Sequence, residues 1–236
     1  MPRLHVNVDH VATVRQARRA CFPDPVAFAL ACEAAGAHGI TCHLRLDRRH
    51  IQDEDVTRLR AQISTVLNLE CSLAEEMLDI AASSGAEAFC LVPEERQEIT
   101  TEGGLDVAAE RDRLAEAVPR LTEAGGAVSL FVDPDPRQLD AARAVEAPFV
   151  ELHTGAYANT TGAARAAELE RLVAAAAHAR DIGLRVNAGH GLDEENVAPV
   201  AGIAGIEELN IGFAIVGQAL FVGVGPAIER MLTRIG

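Results

Sequence analysis

Eight short β-prone runs, each followed by a segment of helical character, set the main constraint on what this chain folds into. The runs fall at about 3–8 (RLHVNV), 39–44 (GITCHL), 65–70 (TVLNLE), 87–92 (EAFCLV), 127–132 (AVSLFV), 148–153 (PFVELH), 184–188 (LRVNA) and 206–211 (IEELNI). Between them lie Ala-, Leu-, Glu- and Arg-rich stretches with helical periodicity, such as 105–124 and 162–182. Gly or Pro marks many of the hand-overs from helix to strand (Gly39, Gly85, Gly125, Pro148, Gly183, Gly205). Spread over 236 residues, eight units average about thirty residues each, the βα rhythm of a parallel sheet. Eight units point to a closed (β/α)₈ barrel. The competing doubly wound open sheet normally carries a G-x-G-x-x-G turn after its first strand, and VNVDHVA is no such turn. No linker-like or low-complexity segment divides the chain, so residues 1–236 read as one barrel domain.

Alternation within the strands says more than their number. Strands buried on both faces usually read as continuous apolar runs. Here polar residues recur at i and i+2 near the strand ends: Asn7 and Asp9; Thr41, His43 and Arg45; Asn68 and Glu70; Glu151 and His153; Arg185 and Asn187; Asn210 and Gly212. Side chains two apart share a face. One face therefore carries these groups into the barrel lumen, and the other presents Val, Leu and Ile to surrounding helices. Burying so many polar groups is costly unless they pair with one another, with water or with a ligand. Collected at the end where barrel active sites lie, they favour a site over a polar filling.

Composition narrows the partners. Lys and Arg total 21 against 35 Asp and Glu, a formal net charge of −14, and aromatics make up 3% with no Trp. Nucleic-acid and anionic-membrane surfaces need clustered positive charge or stacking platforms, so neither partner is expected. The five cysteines (21, 32, 42, 71, 90) form no C-x-x-C pair and fit a reducing compartment. Residues 209–228 lack formal charge over a membrane-spanning length, but Asn210, Gln218, four glycines and Pro226 argue for a buried strand and helix. With no signal-peptide pattern in MPRLHVNVDH, a cytoplasmic protein is expected.

Histidines supply the acid–base candidates. His10, His43, His153 and His190 fall at or just after predicted strand ends and His50 in the loop after the second strand; His5, His38 and His178 read as packing, turn and helix-surface residues. His43, Glu70 and His190, from three strands, would form a proton-transfer set around a central substrate. A metal site is the competing use of such groups. The chain has no H-E-x-x-H, and Asp9 and His10, as neighbours on a strand, are expected to face opposite ways and not to share an ion.

Anion binding is the second signal. NAGHGL (187–192) and NIGFAIVG (210–217) open the helices after strands seven and eight, where glycine-rich turns and helix N-termini grip phosphate in such barrels. A cationic cluster of Arg15, Arg18, Arg19, Arg45, Arg48, Arg49 and His50 follows strands one and two, and TTEGG (100–104) adds hydroxyls. Some of these arginines, Arg19 and Arg49 among them, read as solvated. Two anion-binding regions across one mouth imply two phosphorylated substrates or one bisphosphate.

VNVDHVATVRQAR (6–18), HLRLDRRHIQDEDV (43–56), NLE (68–70), LVPEERQEITTEGGLDV (91–107), VSLFVDP (128–134), PFVELHTG (148–155), NAGHGL (187–192) and ELNIGFAIVG (208–217) together resemble pyridoxine 5′-phosphate synthase, in order along nearly the whole chain. The resemblance implies a (β/α)₈ barrel with extra helices, assembled as a homo-octamer. It implies condensation of 1-deoxy-D-xylulose 5-phosphate with 3-amino-2-oxopropyl phosphate to pyridoxine 5′-phosphate, phosphate and water, with no metal or organic cofactor. Carried over by motif, His43 and Glu70 match proton acceptors, His190 a proton donor, and Glu151 a transition-state stabiliser. Asn7, Arg18, Gly191, Gly212 and Phe213 match the grip on the aminoketone phosphate; Asp9, His10, Arg45, His50 and Thr100 match contacts to the deoxyxylulose phosphate. Two positions depart from the family pattern: Leu46 stands where Glu is common, off the inner face, and Phe213 stands where His is usual. A metal-assisted sugar-phosphate isomerase or epimerase and a non-catalytic phosphometabolite-binding protein remain the alternatives.

Overall fold

The computed structural model describes residues 1–94 and 103–236. Its strands are β1 (Arg3–Asn7), β2 (Gly39–His43), β3 (Val66–Cys71), β4 (Ala88–Leu91), β5 (Ala127–Val132), β6 (Phe149–His153), β7 (Arg185–Gly189) and β8 (Ile206–Ile211). They form a closed barrel in chain order, every neighbouring pair parallel, with β8 returning to β1. This is the (β/α)₈ barrel that the strand rhythm predicted. The helices are α1 (Asp9–Gln16), α2 (Pro25–Ala34), α3 (Asp53–Gln62), α4 (Glu75–Ser83), α5 (Arg111–Glu123), α6 (Pro136–Ala144), α7 (Gly155–Ala158), α8 (Gly162–Asp181), α9 (Val197–Ala201), α10 (Phe213–Val222) and α11 (Val224–Ile235).

Period-two alternation sorts the side chains into two layers. Leu4, Val6, Ile40, Leu67, Leu69, Leu91, Val128, Leu130, Val150, Leu152, Val186 and Leu209 point outward and pack, fully buried, beneath the helices. Their alternates face the lumen: His5, Thr41, His43, Asn68, Glu151, His153, Asn187 and Asn210 are all buried polar groups. Strands β4 and β5 contribute a small apolar wall instead, in which Cys90, Phe131 and the following Val92 form a separate cluster. Register then aligns the polar groups across strands. Thr41 pairs with Asn68 and His43 with Glu70 between β2 and β3, and Glu151 pairs with Asn187 between β6 and β7.

Two local expectations change. Strand β1 stops at Asn7, so Asp9 is the first residue of α1 and not a strand residue. The cause is local: the Asn7 side-chain oxygen accepts the Asp9 N–H at 2.9 Å and satisfies one of the helix's unpaired donors. The helix expected over 105–124 starts only at Arg111, because Leu105 donates its N–H to Phe131 O and Asp106 turns the chain by accepting the Ala109 N–H. The uncharged stretch 209–228 divides among the end of β8, α10 and the start of α11, and among the described residues no helix is long and apolar enough to cross a membrane.

Candidate active site

The C-terminal ends of the strands open onto a cavity of about 1140 Å³ lined by residues from most of the strands and the loops that follow them. His43, Glu70, Glu151 and His190 all line it, so four residues spread over nearly 150 positions of sequence share one chamber. Asn7, Asp9, His10, Arg45, His50, Gly191, Gly212 and Phe213 line it as well. Arg18 does not: it lies exposed in the turn after α1. Thr100 lies outside the described residues.

Asp9 organises one side. Its carboxylate accepts the His43 backbone N–H at 2.8 Å and the Asn7 amide at 2.9 Å. Asn7 is thus engaged with Asp9 through both ends of its amide. Side chains of Asp9, His43 and Glu70 place one ligand-type atom each within 4.8 Å of one another, a spacing at which they could hold a metal ion. Asp9 and His10 both line the cavity, contrary to the strand-parity expectation, because they sit on the first turn of a helix and not on a strand.

Most of the expected cationic cluster is consumed by carboxylates. Arg15, on α1, makes a buried two-pronged ion pair with Asp55, both bonds 2.7 Å, and also donates to the His50 carbonyl. Arg48 pairs with Asp53 and Glu76, and Arg49 with Asp47. These arginines hold the loop after β2 in place and are not an anion grip. Arg45 is buried inside the cavity, 3.5 Å from both Asp47 and Glu94. Glu94, which also accepts the Leu46 N–H, was not singled out in the sequence; nothing in LVPEERQ distinguishes it from its neighbour Glu95.

On the opposite side, His190 and Gly191 follow β7 with φ of +82° and +76°. The left-handed region suits Gly but strains a His by about 1–3 kcal/mol. Thr154 holds that conformation by donating its hydroxyl to the carbonyls of Gly189 and His190, and the Asn196 amide donates to Gly191 O. The result tilts the His190 ring edge-on to His153, 5.1 Å between centroids, with His153 tied to Asp133 at 2.9 Å. His190→Asn tolerates the left-handed backbone better. It is expected to keep or raise the thermal midpoint while lowering turnover about a hundredfold, read by calorimetry and by kcat.

The family described as "Pyridoxal phosphate biosynthesis protein PdxJ" matches residues 4–236. The chain belongs to it. The motifs that resemble pyridoxine 5′-phosphate synthase therefore sit in a PdxJ-family chain, and the family's match runs through every strand that lines the cavity. Solved structures share the fold at low identity. 3-Keto-L-gulonate-6-phosphate decarboxylase from Vibrio cholerae has a TM-score of 0.68 at 13% identity, covering 99% of this chain and 97% of its own. Tryptophan synthase subunit alpha from Legionella pneumophila has 0.64 at 13%, covering 100% and 92%. Phosphoribosylanthranilate isomerase from Thermotoga maritima has 0.62 at 15%, covering 100% and 98%.

Electrostatics of the PdxJ-family site follow from its enclosure. Burial raises the Asp9 carboxyl to about 7, against hydrogen bonds from the His43 N–H and Asn7. Burial raises Glu151 to about 8, opposed by the bond from Asn210. Glu70 is pushed well above the usual carboxylate range by burial, with the charges of Asp9 and Glu151 adding to it. The imidazoles move the other way: burial first, then neighbouring cations and histidines, lowers His43 to about 3 and His50 and His190 to about 4. Enclosure thus shifts the carboxyls toward their protonated forms and the imidazoles toward their neutral ones.

These shifts link stability to pH. A raised carboxyl retains a proton in the folded chain that the unfolded chain has released, so stability falls as pH rises, up to about 7 for Asp9 and about 8 for Glu151. A lowered histidine costs stability only below its ordinary value of 6.5. Above pH 6.5 the carboxyls act alone. The unliganded protein is expected to lose on the order of 3 kcal/mol between pH 6.5 and 8.5. Glu151→Gln should flatten that decline, as measured by denaturant titration at each pH.

Proposed function

We propose that the chain is a pyridoxine 5′-phosphate synthase, a transferase that condenses 1-deoxy-D-xylulose 5-phosphate with 3-amino-2-oxopropyl phosphate by general acid–base catalysis. The observation that carries this reading is the convergence of His43, Glu70, Glu151 and His190 on one cavity of a PdxJ-family chain. Imine formation needs an acid to expel water and a base to take the acidic proton beside the imine. Phosphate leaves, a second carbonyl is attacked, and further dehydration yields the aromatic ring. Glu70 and His43 serve as proton acceptors, His190 as donor, and Glu151 stabilises the developing charge.

Substrate charge sets these groups to work. The aminoketone brings an ammonium, which beside Asp9 and Glu70 favours their carboxylate forms. Phosphate dianions near His10, His50 and His190 favour the imidazolium forms. The first turn of α10 offers the backbone N–H groups of Gly212 and Phe213 to one phosphate. Phe213 is 72% exposed and leans edge-on against His10, 5.2 Å between ring centroids. The grip on phosphate at this position runs through the backbone, so the change from His is tolerated. Asn7 and Gly191 complete the aminoketone phosphate site, and Asp9, His10, Arg45 and His50 take the deoxyxylulose phosphate.

Purified protein given both substrates, without added metal, should release phosphate and form a pyridine chromophore; neither substrate alone should do so. No chromophore from an intact, folded protein overturns the reading. The Asp9–His43–Glu70 spacing favours one second reading, a metal-assisted isomerase acting on a single sugar phosphate. Stoichiometric metal by elemental analysis, with chelator-sensitive isomerisation, would establish it instead. Assembly as a cytoplasmic homo-octamer belongs to the main reading, and sedimentation measures the assembly.

A further inference from the structure

Glu151 does not sit in the lumen alone. Asn210 of β8 donates its side-chain N–H to Glu151 Oε2. The same amide's Oδ1 accepts the Thr41 hydroxyl at 2.7 Å, and that hydroxyl accepts an N–H from Asn68 at 3.3 Å. All four residues are buried. The chain crosses the barrel from β3 through β2 and β8 to β6, and each link has a direction. Asn68 donates to the Thr41 oxygen, which leaves the Thr41 proton for Asn210 Oδ1. Asn210 must then turn its N–H toward Glu151. Cys90 adds a second, weaker donor to the same Oε2 at 3.9 Å. The other oxygen, Oε1, reaches over Gly189, where a Cβ would come within 2.4 Å of it. A side chain at 189 would push that oxygen aside and crowd the Asn210 carbonyl, 3.0 Å from the same Cβ.

We propose that Asn210 is a positioning residue that differentiates the two oxygens of Glu151: Oε2 is committed to accepting from the barrel interior, and Oε1 is the oxygen left to meet the developing charge at the cavity. Thr41 and Asn68 fix the orientation of the Asn210 amide and so the sense of the whole relay. Sequence parity put Asn68, Thr41 and Asn210 on the lumenal face but gave no sign that they were joined, because their contacts span 27 and 169 positions. The role rests on the proposed acid–base reaction for its effect on turnover; its effect on the carboxyl does not.

Thr41→Val removes the hydroxyl at nearly constant shape and frees the amide to present its carbonyl to Glu151. The carboxyl is followed without substrate by ¹³C NMR of protein labelled at glutamate Cδ, with Glu151→Gln assigning the signal. Losing a donor to the charged form raises the ionisation midpoint, expected by about one pH unit. In the reaction, kcat should fall about ten- to a hundredfold, with KM for both substrates little changed. Thr41→Ser, which keeps the hydroxyl, should restore midpoint and kcat. If Thr41→Val does not fold, Thr41→Ala supplies the same comparison by only removing atoms. A midpoint that stays at the wild-type value overturns the proposal, as does a shifted midpoint with unchanged kcat, or equal losses in the Ser and Val variants. A shifted midpoint in a wild-type protein that forms no pyridine would refute the reaction while leaving the relay to Glu151 standing.

Discussion

Glu70→Gln is expected to lower kcat by about a hundred- to ten-thousand-fold while leaving the fold at least as stable. Glutamine matches the shape of Glu70 and can still donate and accept hydrogen bonds, but it cannot take a proton from carbon. The loss corresponds to about 3–5 kcal/mol of transition-state stabilisation. Stability should move the other way. Burial and the charges of Asp9 and Glu151 hold the Glu70 carboxyl well above its ordinary value of 4.5, so the folded chain loses stability as pH rises through that range. An amide carries no such cost. A thermal midpoint at pH 8 equal to or above that of the parent, beside near-complete loss of turnover, separates a chemical role from a packing one. Undiminished turnover would remove Glu70 from the mechanism.

Arg15→Ala is expected to destabilise the protein by about 3–5 kcal/mol. Arg15 is 7% exposed and Asp55 2%. Truncation would strand that carboxylate without its partner. Asp55 also accepts the Gln52 N–H at 2.9 Å and caps α3, so the damage extends into the loop that carries His50. Arg15 donates to the His50 carbonyl directly, and loosening it should raise KM for the substrate proposed to lie beside His50. Urea denaturation measures the first effect and steady-state kinetics the second. Replacing the pair together, Arg15→Met with Asp55→Asn, should recover much of the stability, because the cost arises from the stranded charge.

The contrast between Arg15 and His43 shows what was legible in the sequence. The barrel was legible because its signal is local: two-residue alternation within strands and Gly or Pro at the hand-overs. Placement of His43 beside Glu70 was nearly legible, since parallel strands of one barrel bring residues of equal parity into register. Which charges cancel was not. Arg15 meets Asp55 forty positions away, and LDRRHIQDED gives no indication that its arginines pair with its own acids. The expected cationic patch after strands one and two dissolved for that reason. Asp9 was read as a strand residue because VNVD continues the alternation, and only the Asn7 side chain shows that the helix has already begun. Glu94 and Asn210 were missed as partners because each is defined by its distant neighbour.

A cylinder sealed by its final strand has no serviceable half-built form. β8 hydrogen-bonds to β1, and its Asn210 supplies the contact to Glu151. During synthesis on the ribosome, a nascent chain cannot present a finished chamber before residue 211 has emerged. Until then β1 and β7 both expose unpaired backbone edges, the kind of surface that chaperones shield and that drives misassembly. Translation products truncated before β8 would therefore lack both the finished chamber and the strand that covers the two edges.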